Sequence, residues 1–132
     1  YHDKNGSDYD VKANHINEYL DAVIPNHASI TAKDFRTWAA TWKTAHRLSR
    51  QLDPDTERAR KRVANDVVKT VAADLGNTPT VCRSSYIHPT ILSDWASGKF
   101  RSKWNKAGKG NKHRGLTREE TVTFNYLKNS ND

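Results

Sequence analysis

Most of the side chains in this sequence that could do chemistry lack the spacing that chemistry would need. The six histidines, at positions 2, 15, 27, 46, 88 and 113, do not show the spacing of metal ligands. The single cysteine, Cys82, cannot complete a structural zinc site or form an internal disulfide. No phosphate-binding loop of the form GxxxxGK(S/T) occurs. We therefore expect no metal and no cofactor, and any reaction carried out by the chain should be independent of ATP.

A run of positive charge lies near the C-terminal end. Between Lys99 and Arg114, seven of sixteen residues are lysine or arginine and none is acidic. This run accounts for the whole net charge of +7, because the other residues include 15 basic and 15 acidic ones. Interleaved aromatic residues and glycines predict a mobile basic arm over residues 98–116 that contacts nucleic-acid phosphates. The alternative is a solvated linker. The residues expected to bind DNA are Lys99, Arg101, Lys103, Lys106, Lys109 and Lys112.

Two segments carry a sharper signal. One reads TAKDFRTW from Thr31 to Trp38, and the other reads LGNTPTVCRSSYIHP from Leu75 to Pro89. Together they resemble the second-arginine helix and the tyrosine segment of bacterial, poxvirus-like type IB DNA topoisomerases. The resemblance covers nearly the whole chain and places it in the C-terminal part of the catalytic domain. It is the combination of KDFRTW with GNTP upstream of a tyrosine that is specific.

The resemblance implies a role for three residues. Tyr86 would be the nucleophile that displaces a 5′ hydroxyl and forms a 3′-phosphotyrosyl link. A tyrosine phenol has an ordinary pKa near 10, so a neighbouring cation must favour the phenolate. Arg36 would be that cation and would stabilise the transition state. Asn77 stands where eukaryotic and poxvirus members use histidine, and its amide can still donate a neutral hydrogen bond.

Each of these residues also has a purely structural interpretation. Tyr86 could be a buried aromatic residue, Arg36 a surface arginine paired with an acid, and Asn77 a helix-end residue. Lys33 and Arg83 lie beside the three candidates in sequence, and we expect them to touch backbone phosphates. His88 is expected to be structural.

The family's active site also uses an earlier arginine and a lysine that acts as general acid. Both would precede Tyr1, as would an N-terminal clamp domain, so we interpret residues 1–132 as a piece of a longer enzyme that cleaves DNA poorly alone. The expected function is ATP-independent relaxation of supercoiled double-stranded DNA. A tyrosine recombinase is one alternative, although its usual His-x-x-Arg motif is replaced here by residues 33–36, KDFR. A DNA-binding module without catalysis is the other.

The elements that must position these residues are mainly α-helical. Residues 1–11 predict a short β-hairpin around an Asn-Gly turn. Apolar spacing predicts a helix over 12–24, one that begins after Thr31, and one from Asp53 to Gly76. A short helix should follow Thr78, and a terminal helix over 117–128 should begin with a capping box of Thr117 and Glu120.

The length of 132 residues predicts a single domain, because a chain of this length can bury one hydrophobic core. No stretch approaches the roughly 20 apolar residues that span a membrane. We expect a monomer in the cytoplasm, associated with the nucleoid.

Overall fold

Helices make up most of the described chain, which agrees with the predicted class. The computed structural model describes residues 32–52, 54–112 and 116–131. The predicted hairpin, the helix over 12–24 and the Thr31 cap lie outside these residues. Among the described helices, none is long and apolar enough to cross a membrane. The helices are α1 (Ala32–Ser49), α2 (Glu57–Leu75), α3 (Pro79–Val81), a π-helix (Cys82–Tyr86), α4 (Pro89–Ser97), α5 (Phe100–Gly108) and α6 (Arg118–Asn131).

Helix α1 packs on α2, α6 and the π-helix. Its predicted apolar face is confirmed, because Trp38 and Ala45 are buried and Phe35 and Trp42 are packed against the core. The indole Nε1 of Trp38 donates a buried hydrogen bond of 3.0 Å to a carboxylate oxygen of Glu120 on α6. This bond ties the helix that carries Arg36 to the terminal helix.

Helix α2 begins later than the sequence predicted. Asp53 and Pro54 were expected to open it, but the first helical residue is Glu57 and the cap is Thr56, whose hydroxyl accepts the N–H of Ala59 at 3.1 Å. A second capping residue three positions downstream therefore opens the helix in place of the first. The predicted end is confirmed.

That end is set by Gly76, whose φ of 72° lies in the left-handed region that favours glycine. The N–H of Asn77 then bonds back to the carbonyl of Ala72 at 2.9 Å, which satisfies a carbonyl at the end of the helix. The chain turns sharply here, and the short helix α3 follows at once, capped by Thr78 as predicted.

The segment predicted as a mobile arm differs most from expectation. Residues Phe100–Gly108 form helix α5, which packs on α6, and Phe100 and Ala107 are buried. Phe100 stacks on Trp104 with ring centroids 5.5 Å apart and also contacts Tyr126 at 5.4 Å. The aromatic residues are four positions apart, so they share one face of a helix and face the core.

The terminal helix α6 begins as the sequence predicted and extends further, to Asn131. The N–H of Glu120 donates to the Thr117 hydroxyl at 3.2 Å, and the N–H of Thr117 donates to the Glu120 carboxylate at 3.0 Å. This reciprocal pair is a capping box. Because Glu120 also accepts the Trp38 indole, one buried carboxylate both starts α6 and fixes α1 against it.

Candidate active site

Tyr86 ends the π-helix Cys82–Tyr86, and its side chain is half-buried. The N–H of Ile87 bonds to the carbonyl of Cys82 at 3.0 Å, five residues back, which is the pattern of a π-turn. The wide turn lets both Cys82 and Ile87 point into the core while Arg83, Ser84 and Ser85 are exposed. Tyr86 is thereby held at the boundary between the core and the solvent.

Arg36 faces this tyrosine from α1. The guanidinium carbon of the exposed Arg36 lies 5.9 Å from the centroid of the Tyr86 ring, within the range of a cation–π contact. The two residues are 50 positions apart in sequence, and the packing of α1 on the π-helix brings them together. A planar guanidinium beside a phenol can bind a phosphate oxygen with two N–H groups and favour negative charge on the nearby oxygen.

Thr41 connects α1 to the backbone on both sides of Ile87, the residue that follows the tyrosine. Its side chain is fully buried, and its hydroxyl donates to the carbonyl of Tyr86 at 3.2 Å. The same hydroxyl accepts the N–H of His88 at 3.1 Å. Sequence reasoning missed Thr41. The available signal was a hydroxyl on the apolar face of α1, which must find a partner when buried, but the sequence does not name that partner.

Asn77 lies on the link between α2 and α3, nine residues before Tyr86. Its side-chain nitrogen Nδ2 is buried and has no hydrogen-bond partner within the part of the chain that the structure describes. A buried amide N–H without an acceptor costs about 1–3 kcal/mol. A group held at that cost is a candidate for binding an acceptor that arrives from outside the protein.

Lys33 and Arg83 are both exposed, near the beginning of α1 and in the π-helix respectively. A guanidinium nitrogen of Arg83 donates to the side-chain oxygen of Asn65 on α2 at 2.6 Å. Arg83 is therefore already oriented by a hydrogen bond to a neutral partner, which does not compensate its charge. The predicted phosphate contacts of both residues stay predictions.

The basic segment divides into two groups. Arg101 donates to the backbone carbonyls of Ser49 and Gln51, so it caps the end of α1. Lys103 forms a part-buried ion pair of 2.6 Å with Asp94, which also accepts the hydroxyl of Tyr126. These two cations join elements of the core. The remaining predicted contacts, which are all exposed, are Lys99, Lys106, Lys109 and Lys112.

Two further titratable groups flank Tyr86, and burial shifts both. Burial raises the pKa of the Cys82 thiol, so the thiol stays protonated and is a poor nucleophile. Burial lowers the pKa of His88, whose Nδ1 accepts the N–H of Thr90 at 3.2 Å and caps α4. A neutral imidazole with Nδ1 as acceptor is the form that this cap requires, in keeping with a structural His88.

Comparison with known proteins identifies the family of the chain. No curated protein matches the chain closely enough to be counted as a relative. The family model described as eukaryotic DNA topoisomerase I, catalytic core, matches residues 4–114, a range that includes Arg36, Asn77 and Tyr86. The chain belongs to the DNA topoisomerase I catalytic core family.

Proposed function

We propose that this chain is the C-terminal part of the catalytic domain of a bacterial, poxvirus-like type IB topoisomerase. The whole enzyme relaxes supercoiled duplex DNA by nicking and resealing one strand, without ATP or a metal ion. Membership of the topoisomerase I family supports a topoisomerase in general. The observation that carries the specific proposal is the approach of the Arg36 guanidinium to the ring of the half-buried Tyr86.

In the forward reaction the phenolic oxygen of Tyr86 attacks the phosphorus of a DNA phosphodiester. The bond from phosphorus to the 5′ oxygen breaks, and the DNA 3′ end stays attached to Tyr86 as a phosphodiester. Arg36 donates to a nonbridging oxygen and stabilises the charge of the five-coordinate transition state. Its positive charge also favours the phenolate form of the nucleophile.

Asn77 supplies the second donor in this proposal. Its Nδ2 donates to the other nonbridging oxygen, which gives the buried N–H an acceptor that none of the described residues provides. The donor is neutral, so it adds no charge to the site. Arg36 is then the principal source of positive charge among the three candidate residues.

The reverse reaction restores the DNA. The freed 5′ hydroxyl attacks the phosphotyrosine, and Tyr86 leaves as the phenol. One phosphodiester is exchanged for another in each direction, so no external energy source is needed. Between the two steps the broken strand can rotate about the intact one, and this rotation relaxes supercoils.

The leaving 5′ oxygen must gain a proton, and we propose that a lysine outside residues 1–132 of the enzyme donates it. A further arginine outside these residues would complete the site. The described residues supply Arg36, Asn77 and Tyr86, which is part of the constellation. The chain by itself is therefore expected to bind DNA and to form the covalent link slowly or not at all.

The test is relaxation of supercoiled plasmid without ATP or magnesium. The longer enzyme, its Tyr86→Phe variant and this chain alone are compared, and denaturing gels detect protein joined to a DNA 3′ end. We expect relaxation and adduct from the longer enzyme, and neither from the variant. Relaxation that persists in Tyr86→Phe would remove Tyr86 from the mechanism. A protein that recombines paired sites without relaxing plasmid would favour a tyrosine recombinase.

A further inference from the structure

We infer that Thr41 is a positioning residue for the nucleophile, and that its hydroxyl fixes the backbone of Tyr86 relative to Arg36. This inference rests on the proposed function and deepens it. Thr41 does not touch the reacting atoms. It acts through the carbonyl of Tyr86 and the N–H of His88, both of which it bonds.

The need for such a bond comes from the way the π-helix ends. Ile87 leaves it in an extended conformation, with φ of −83° and ψ of 128°, so the next residues cannot continue the helix. The following N–H groups are used elsewhere, since Thr90 donates to the His88 ring and Ile91 to the His88 carbonyl. Pro89 has no N–H to donate. The Tyr86 carbonyl would therefore lack a local partner, and the Thr41 hydroxyl supplies one.

One hydroxyl satisfies two backbone groups because it can donate and accept at once. It thus bridges the positions before and after Ile87, which is itself buried. The bridge limits rotation of the segment that carries the tyrosine, in a part of the chain that is no longer held by helical hydrogen bonds.

Thr41 and Arg36 belong to the same helix, five residues apart. Helix α1 therefore carries both the cation that faces the phenol ring and the hydroxyl that holds the phenol's backbone. With both contacts on one helix, the backbone of Tyr86 is held at a set position relative to the backbone of Arg36. Misplacement of a reacting group by about 1 Å can cost about 100-fold in rate, so loss of one anchor should be visible in catalysis.

Thr44 provides a matched control. It lies one turn further along α1 and is also fully buried, but its hydroxyl has no hydrogen-bond partner among the described residues. Threonine-to-valine substitution removes the hydroxyl at nearly constant volume. At position 44 that change deletes no bond within the described residues, whereas at position 41 it leaves a carbonyl and an N–H unpaired.

The first experiment needs no catalytic activity. Hydrogen exchange by NMR on this chain follows the amide of His88 in the wild type and in Thr41→Val, Thr41→Ser and Thr44→Val. We expect exchange at His88 to accelerate about tenfold or more in Thr41→Val, and to stay near wild type in the serine and Thr44 variants. Unchanged protection of His88 in a folded Thr41→Val protein would overturn the inference.

The second experiment measures adduct formation at saturating DNA by the longer enzyme, under single-turnover conditions. Thr41→Val should slow the covalent step about 10- to 100-fold while the dissociation constant for DNA changes by less than about threefold. Thr41→Ser should restore most of the rate, and Thr44→Val should keep it. Equal rates in the two valine variants would overturn the positioning role. A wild-type enzyme that forms no adduct would instead overturn the proposed function, whatever the exchange data show.

Discussion

At the scale of single residues, the polar groups of the candidate site differ in how much of their hydrogen-bonding capacity is used within the described protein. Thr41 has both of its hydrogen-bonding capacities used, and Arg36 rests near the face of a ring. Asn77 holds a buried N–H that no described residue accepts. Fully bonded groups fix geometry, whereas unused donors are available to a substrate. A site that binds an anionic group needs both kinds of residue: bonded groups that hold the backbone in place, and donors that can reach the anion.

The side-chain amide of Asn77, which has no partner among the described residues, leads to a prediction: its substitution should slow catalysis without lowering stability. Asn77→Ala should leave the melting temperature unchanged or raise it, because no side-chain bond within the described residues is removed. The same change should slow adduct formation by the longer enzyme about 100-fold, because a transition-state donor is removed. Asn77→His, which restores a donor, should recover much of the rate. Thermal melting and a cleavage time course check both parts, and a large drop in melting temperature would contradict this account of Asn77.

His88 leads to a prediction about pH. Its folded-state pKa lies below the ordinary value of about 6.5, because burial disfavours the imidazolium and Nδ1 must accept the N–H of Thr90. The unfolded chain therefore binds a proton first as pH falls, so stability is full above about pH 6.5 and is lost as pH drops through the folded pKa.

The variant that checks this is His88→Asn, which keeps a capping acceptor but has no imidazole to protonate. We expect the wild type to lose more unfolding free energy than the variant between pH 7 and pH 5, as measured by urea denaturation. Carboxylates titrate in both proteins and cancel in the comparison. Parallel pH profiles would show that His88 does not contribute.

At the scale of elements, two helices differ from what the sequence predicted: the π-helix that carries Tyr86 and helix α5 in the basic segment. The π-helix adds room between Cys82 and Ile87, so that both are buried and Tyr86 lies at the edge. Helix α5 takes residues of a strongly basic segment into the core through Phe100 and Ala107. In both cases burial of apolar side chains determines where the polar ones lie, because the apolar contacts supply most of the stabilisation.

Helix α5 predicts a contrast between two lysines one turn apart. Lys103→Gln should lower the unfolding free energy by about 1–3 kcal/mol, because it removes a part-buried, charge-assisted bond to Asp94. Lys106→Gln should change stability by less than about 0.5 kcal/mol, because that side chain is exposed, and should weaken DNA binding instead. Urea denaturation and fluorescence anisotropy with duplex DNA measure the two effects. Equal reductions of stability would contradict the division of the basic segment.

At the scale of the whole molecule, the relevant quantity is where uncompensated positive charge remains after the fold has formed. The net charge is +7, and Arg101 and Lys103 hold backbone carbonyls and a carboxylate. The exposed lysines at positions 99, 106, 109 and 112 remain accessible. These are the residues that should release counterions from DNA.

Replacing these four lysines with glutamine should weaken binding to duplex DNA and reduce its dependence on salt. The slope of log affinity against log salt should fall by about 0.9 for each DNA phosphate that the variant no longer neutralises. A control of equal charge replaces four exposed cations of α2 with glutamine: Arg58, Lys61, Arg62 and Lys69. It should lower affinity less and leave the slope near that of the wild type. An unchanged slope in the first variant would exclude these lysines from the interface.

The sequence by itself indicated the helical class and three of the described helix ends. Capping signals are local, so Gly76, Thr78 and the pair of Thr117 and Glu120 could be interpreted without a tertiary structure. The motifs around Arg36 and Tyr86 pointed to a topoisomerase for the same reason, since they are contiguous strings. Where two capping signals lay close together, as at Asp53 and Thr56, the sequence could not rank them.

Only the tertiary structure decided which groups meet. The Thr41 contact with the Tyr86 backbone joins residues 45 positions apart, and the Trp38 bond to Glu120 joins residues 82 positions apart. The tertiary structure also separated the part-buried Lys103 from the exposed lysines of a segment in which composition alone does not distinguish them. Partner choice depends on the packing of whole helices, whereas a sequence pattern records only each helix's own periodicity. The sequence therefore pointed to Tyr86 and Arg36 as candidates, and the packing of α1 decided which contacts hold them near each other.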